Sequence, residues 1–147
     1  MKSLKSTLFT KNYFTIMAIA VVIFSFSACA KKISFQTSSV VPAARGSVKV
    51  KKDNNSNYRI QIKLFNLAEV KRLDPPKQAY VVWMESDQQA VKNMGQINSS
   101  NSMLSKTLKA SFETVTAFKP IKIFITAEDD AAVLYPGMQL VLSTSNF

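Results

Sequence analysis

The sequence predicts an all-β fold: a single antiparallel, immunoglobulin-like β-sandwich of about seven strands behind an N-terminal signal segment. Three observations predict it. Apolar and polar residues alternate with period two from Gly46 onward, the mark of strands with one buried and one solvated face. Clusters rich in Asn, Asp, Ser and Pro punctuate that alternation about every ten residues, as turns in a sandwich do. No segment carries the 3.6-residue periodicity of an amphipathic helix.

The strands follow in order. Val48 and Val50 alternate with Lys49 and Lys51, and Tyr58, Ile60, Ile62 and Leu64 share a face opposite Arg59, Gln61 and Lys63. The intervening Asp53-Asn-Asn-Ser-Asn57 predicts a hairpin turn. Asp74-Pro75-Pro76 predicts a loop, because proline has no N–H to give a ladder. Ala79–Met84 is apolar at nearly every position, which predicts a central strand covered on both faces. Val91–Ile97 is a weaker strand, and Asn98–Ser102 a polar turn. Thr107–Val115 alternates through Leu108, Ala110 and Phe112. Ile121, Ile123 and Ile125 define the next strand, and Glu128–Gly137 a loop closed by Pro136-Gly137. Met138–Thr144 is the last strand, with Met138, Leu140 and Leu142 pointing inward.

The chain of 147 residues favours one domain, and its 47% of apolar residues suffices for a packed core. Histidine is absent and cysteine occurs once, which excludes a Ser-His-Asp triad, a Cys-His pair, a histidine zinc site and an internal disulfide framework. No glycine-rich phosphate loop is present. A non-catalytic protein without cofactor or metal is the expectation.

Lys2, Lys5 and Lys11 precede fifteen uncharged, mostly apolar residues, Phe14–Ala28, shorter than the ~20 a spanning helix needs. Small residues Ser27 and Ala28 stand directly before Cys29. A positive n-region, a short apolar core and small residues at its end are the parts of an export signal. Phe26-Ser27-Ala28-Cys29 resembles the lipobox of bacterial lipoproteins, with Phe26 where an aliphatic residue is usual. The resemblance implies that the Cys29 thiol takes a diacylglyceryl group and that cleavage after Ala28 makes Cys29 the first mature residue. The other readings are an uncleaved N-terminal anchor, an ordinary secretory cleavage and a core cysteine. The chain then divides into a signal peptide (1–28), a lipidated tether or first edge strand (29–45) and the sandwich (46–147). Lys31 and Lys32 after the cysteine leave no acidic retention signal beside the anchor, which by analogy with lipoprotein sorting points to the outer membrane, facing the periplasm.

Charge is uneven. Residues 30–77 carry eleven Lys/Arg against Asp53, Glu69 and Asp74, whereas residues 78–147 carry five lysines against six acids. Lys49, Lys51, Lys52, Lys63, Lys71 and Arg72, with Lys77, have two readings. One is contact with anionic headgroups or another polyanion. The other, which the composition favours, is a solvated sheet face with lysines guarding its edge. Aromatic residues do not interleave with this patch, so nucleic acid is not an expected partner.

Glu128-Asp129-Asp130 lacks the spacing of a calcium loop and reads as a solvated turn. Glu85, Asp87 and Glu113 are the acids a glycosidase pair would draw on, and nothing in the sequence brings them together. Tyr80, Trp83, Phe112, Phe118, Phe124 and Tyr135 read as core aromatics more readily than as a sugar-binding platform.

Two stretches, Tyr80–Ile97 and Phe124–Ser143, resemble the extracytoplasmic C-terminal domain of the anti-sigma-K factor family, in a Tyr-x-x-Trp strand with its following turn and strand, and in a Thr-x-Glu stretch leading through a loop to a closing strand. The resemblance implies the fold and an exported location. It does not extend to a sigma-binding domain, since only the short signal precedes the sandwich. The expected function is a binding or structural module, anchored in the membrane through lipidated Cys29, for an envelope protein or glycan. The alternative is an accessory sensor in extracytoplasmic signalling that binds no sigma factor itself.

Overall fold

Strand β3 (Tyr58–Phe65) sets the architecture, because its strict alternation leaves one face that must be covered. The computed structural model, which describes residues 30–97 and 109–147, supplies the cover as a second sheet. The first sheet runs β1 (Lys31–Ser34), β2 (Arg45–Lys52), β3 and β6 (Lys109–Thr116), in that order. The second runs β5 (Val91–Ile97), β4 (Ala79–Ser86), β7 (Pro120–Glu128) and β8 (Leu140–Ser143). All pairs are antiparallel. If β2, β3 and β6 are taken as A, B and E, and β5, β4, β7 and β8 as C′, C, F and G, the pairing order is that of an immunoglobulin-type sandwich, with β1 added outside.

The interior lies between the sheets. Val48, Ile60, Ile62 and Leu64 of the first meet Tyr80, Val82, Met84, Ile123, Ile125 and Leu142 of the second. Each such side chain taken from water contributes about 1.5–3 kcal/mol. Tyr80 also buries its hydroxyl and satisfies it by donating to the Ala68 carbonyl, 2.9 Å away. That burial pushes the phenol's pKa up to about 12.

The β2–β3 turn closes as its composition predicts. Asp53 Oδ1 accepts from the N–H groups of Asn55 and Asn57, at 2.9 and 2.8 Å, while Ser56 takes a left-handed φ of 64°. This turn and the start of β1 lie at one end of the sandwich; Phe65, Ala79 and Glu128 lie at the other. After β1 the chain changes sheets. Phe35 bridges Thr144, and the Gln36 N–H donates to the Ser143 carbonyl at 2.8 Å.

Three expectations need correction. The last strand is shorter than Met138–Thr144, and Met138 and Leu140 do not point inward: Met138 is fully exposed and Leu140 is partly exposed. A register shift against β7 pairs Ile125 with Leu142 and Thr126 with Leu140, so the parity breaks and adjacent Val141 and Leu142 are both buried. Glu128 is no part of a solvated turn; it is the last residue of β7 and buried. Tyr135 is 83% exposed and not a core aromatic. The Asn98–Ser102 turn and the Thr107-Leu108 start of the sixth strand lie outside the described residues.

Candidate functional site

Two surfaces stand out, at opposite ends of the fold. The first is the outer face of the first sheet. Strand pairing sets its side chains in rows: Lys32, Lys49, Gln61 and Glu113 in one, Lys51, Arg59 and Val115 in the next, and Ser34, Ser47, Lys63 and Ser111 on the other side. Neighbours within a row are about 4.8 Å apart, and successive rows about 7 Å. Seven cations, Lys32, Lys49, Lys51, Arg59 and Lys63 with Arg45 and Lys109 of a further row through Phe65, thus share the strands of this face with one acid, Glu113. Glu113 accepts from Arg59 at 3.2 Å and from Gln61 at 2.9 Å. The ion pair is half exposed, so it offsets little of the field.

Of the cations singled out from sequence, Lys49, Lys51 and Lys63 belong to this face. Lys52 ends β2, with its ammonium 5.8 Å from the centre of the Tyr58 ring. Lys71 and Arg72 are elsewhere, on a short 3-10 turn (Val70–Arg72) between β3 and β4, where Arg72 pairs with Glu69 at 3.3 Å. Lys77 pairs with Asp129 at 2.6 Å. Arg59, Lys32, Arg45 and Lys109 join the face without having been singled out. The alternation of β3 was the signal for Arg59; Lys32 needed the pairing of β1 with β2. Ala30 lines a shallow cavity of about 540 Å³ on this face with Lys49, Lys51, Arg59 and Gln61. Cys29 and Ala28 lie outside the described residues.

The second surface is the loop between β7 and β8. It folds back over the outer face of the second sheet, where Ala131 and Val133 cover Ala79, Val81 and Trp83. Phe124 stacks beside Trp83, with ring centroids 6.3 Å apart and planes at 13°. A polar chain runs beneath: the Trp83 indole N–H donates to Thr126 Oγ1 at 2.7 Å, and the Thr126 hydroxyl donates to Glu128 Oε1 at 2.5 Å. The Gly137 N–H donates to the same oxygen at 2.7 Å. A Cβ at Gly137 would meet Glu128 Oε2 at 2.5 Å, so any larger residue there would push the carboxylate aside. Farther along, the Asn93 amide donates to the carbonyls of Ala131 and Val133, both at 2.9 Å. Asn93 faces outward because a bulge at Met94 lets Gly95 (φ 123°) pair inward with Val82 and Asn93 pair with Trp83.

With both flanks tied down, the tip turns Leu134, Tyr135 and Met138 into solvent, at 80%, 83% and 103% exposure. Nothing in the sequence distinguished these three from core residues. Their exposure follows from the fold-back of the loop.

Of the acids considered for catalysis, Glu113 does not meet Glu85, and Asp87 lies in the turn after β4, its N–H donating to the Lys119 carbonyl. Glu113 sits on the outer face of the first sheet. Glu85, in phase with Trp83, sits on the outer face of the second. Among the described residues no group of His, Cys, Asp and Glu is placed to hold a metal ion, and no helix is long and apolar enough to cross a membrane. No protein-family model, curated protein or solved structure matches the chain.

Proposed function

We propose that the chain is a lipid-anchored envelope protein, cleaved after Ala28 and acylated at Cys29, that binds a periplasmic protein partner and performs no catalysis. The observation that supports binding is the β7–β8 loop. It displays Leu134, Tyr135 and Met138 to water from a base fixed by Glu128, Asn93 and Trp83. Covering large apolar side chains is favourable by about 1.5–3 kcal/mol each, and a tip held in place loses little freedom on docking. In the immunoglobulin topology this is the F–G connection, one of the loops such sandwiches use for recognition. A protein suits it better than a glycan. Leu134 and Met138 are aliphatic, and methionine adapts to irregular apolar surfaces.

Photo-crosslinking from position 135 in intact cells tests the reading. A discrete adduct is expected, absent in the double variant L134S/M138S, whose detergent sensitivity should match that of a deletion strain. Wild-type behaviour of the double variant, in cells where deletion is harmful, would overturn the protein-binding role.

A second reading, an accessory sensor in extracytoplasmic signalling, draws on one observation. The two stretches that resemble the anti-sigma-K domain, Tyr80–Ile97 and Phe124–Ser143, make up the second sheet and carry this loop. It predicts that deletion changes transcription of a defined regulon, where a structural role predicts envelope fragility without one.

A further inference from the structure

We infer that the outer face of the first sheet lies against the membrane and docks on anionic phospholipid headgroups, so that the sandwich is held flat by a diacylglyceryl anchor and a cationic face together. This rests on the proposed acylation of Cys29. Its grounds are where the chain meets the sheet and how the charges are distributed around that point.

The tether that the sequence allowed is almost absent. β1 begins at Lys31, so a single residue, Ala30, separates Cys29 from the sheet. One peptide unit spans about 3.8 Å between Cα atoms. An anchor at Cys29 therefore holds the corner of the sandwich at the headgroup level. Ala30 itself opens onto the cationic face, beside Lys49, Lys51 and Arg59.

Four of the seven cations, Lys32, Lys49, Lys51 and Arg59, lie toward that corner. By the register, Lys51 lies about one strand spacing from Ala30 and Arg59 about two, roughly 5 and 10 Å. Lys32 and Lys49 stand one row below, and Lys63 about 13 Å along β3 from Arg59. The one acid on the strands of the face, Glu113, sits on β6, the strand farthest from the anchor, while Asp53 of the β2–β3 turn lines the same cavity as Ala30 and accepts from the N–H groups of Asn55 and Asn57. Most of these charges fall within about one Debye length, ~10 Å at 0.1 M salt, of a surface touching the corner. Tethering also makes their encounter with that surface intramolecular, which converts weak attraction into occupancy. The two chains of a diacylglyceryl group already hold the protein on the bilayer, so what the basic patch adds is the orientation of the sandwich. Rows of side chains on a nearly flat sheet suit a planar polyanion. The apolar loop tip, on the other sheet and at the other end, is left facing away from the membrane.

The test uses the acylated protein reconstituted into vesicles. Two single-cysteine variants, V115C on the cationic face and Q96C on the second sheet, carry a nitroxide whose depth is read by power saturation. In phosphatidylglycerol vesicles the position-115 label is expected near the headgroups and the position-96 label in bulk water. The contact should disappear in phosphatidylcholine vesicles, in about 1 M salt, where the Debye length is ~3 Å, and in the triple variant K49E/K51E/K63E. Equal depths for both labels, or the same contact on phosphatidylcholine, would overturn the docked face. Loss of contact to inorganic phosphate at constant ionic strength would overturn the membrane as the ligand in favour of a discrete phosphate site. Failure of the anchor registers separately. An unacylated Cys29 would itself take the nitroxide in the unsubstituted protein and lack the lipid mass.

Discussion

The two outer faces of the sandwich are made by the same kind of strand and come to opposite ends. The outer face of the first sheet alternates cleanly, with Lys49, Lys51, Arg59 and Lys63 in water while Val48, Ile60, Ile62 and Leu64 are buried behind them. On the second sheet, β4 is buried at almost every position, because the β7–β8 loop covers Ala79, Val81 and Trp83 from outside. The difference teaches that a sheet face is assigned by what returns to cover it. The first sheet spends its outer face on charge. The second spends its own on fixing a loop, and so converts a third buried layer into a displayed apolar tip.

The sharpest way to break that contrast is Trp83→Ala. The side chain is wholly buried under the loop, and its loss should cost about 3–5 kcal/mol in urea denaturation. Glu128→Ala comes next. It leaves the Gly137 N–H and the Thr126 hydroxyl without their acceptor, at a cost of about 1–3 kcal/mol, with faster hydrogen exchange at Gly137 than in the rest of the second sheet. Tyr80→Phe should cost about 1 kcal/mol at neutral pH through the lost bond to Ala68. It also carries a pH signature. In the folded protein the phenol titrates near 12, against about 10 when unfolded, so the unfolded chain releases its proton first. The contribution is therefore complete below pH 10 and lost as pH rises to 12, a decline that Tyr80→Phe should reduce in pH-dependent unfolding. The smallest effect belongs to the first sheet: K49A/K63A should change stability by no more than about 0.5 kcal/mol. A larger loss would make that face structural and erase the contrast.

The first sheet was legible because each strand's alternation is a local property, visible in Tyr58–Leu64 without its neighbours. The doubled burial of Ala79–Met84 was legible for the same reason. Glu128 was not. Its burial depends on Gly137, nine residues later, approaching closely enough to donate its N–H. Met138 and Leu140 misled because a single register shift against Ile125 and Thr126 changes the side on which the residues before Val141 fall relative to Leu142. The cationic face was half legible. Lys49, Lys51 and Lys63 follow from parity, but Lys71 and Arg72 looked equivalent to them in sequence and sit on a turn at the other end. The three exposed residues of the loop tip had no local signal, since Leu, Tyr and Met beside a Pro-Gly pair read equally well as buried.

The sheet change at Phe35 and Gln36 has a mechanical meaning. A pull on the chain ahead of Lys31 along the strand axis loads the four pairings of β1 with β2 in shear, so they bear it together. The next two residues hand the same load to β8 of the other sheet, through the Phe35–Thr144 bridge and the Gln36–Ser143 bond. β1 and the two residues after it are thus a lap splice riveted to both layers of the sandwich.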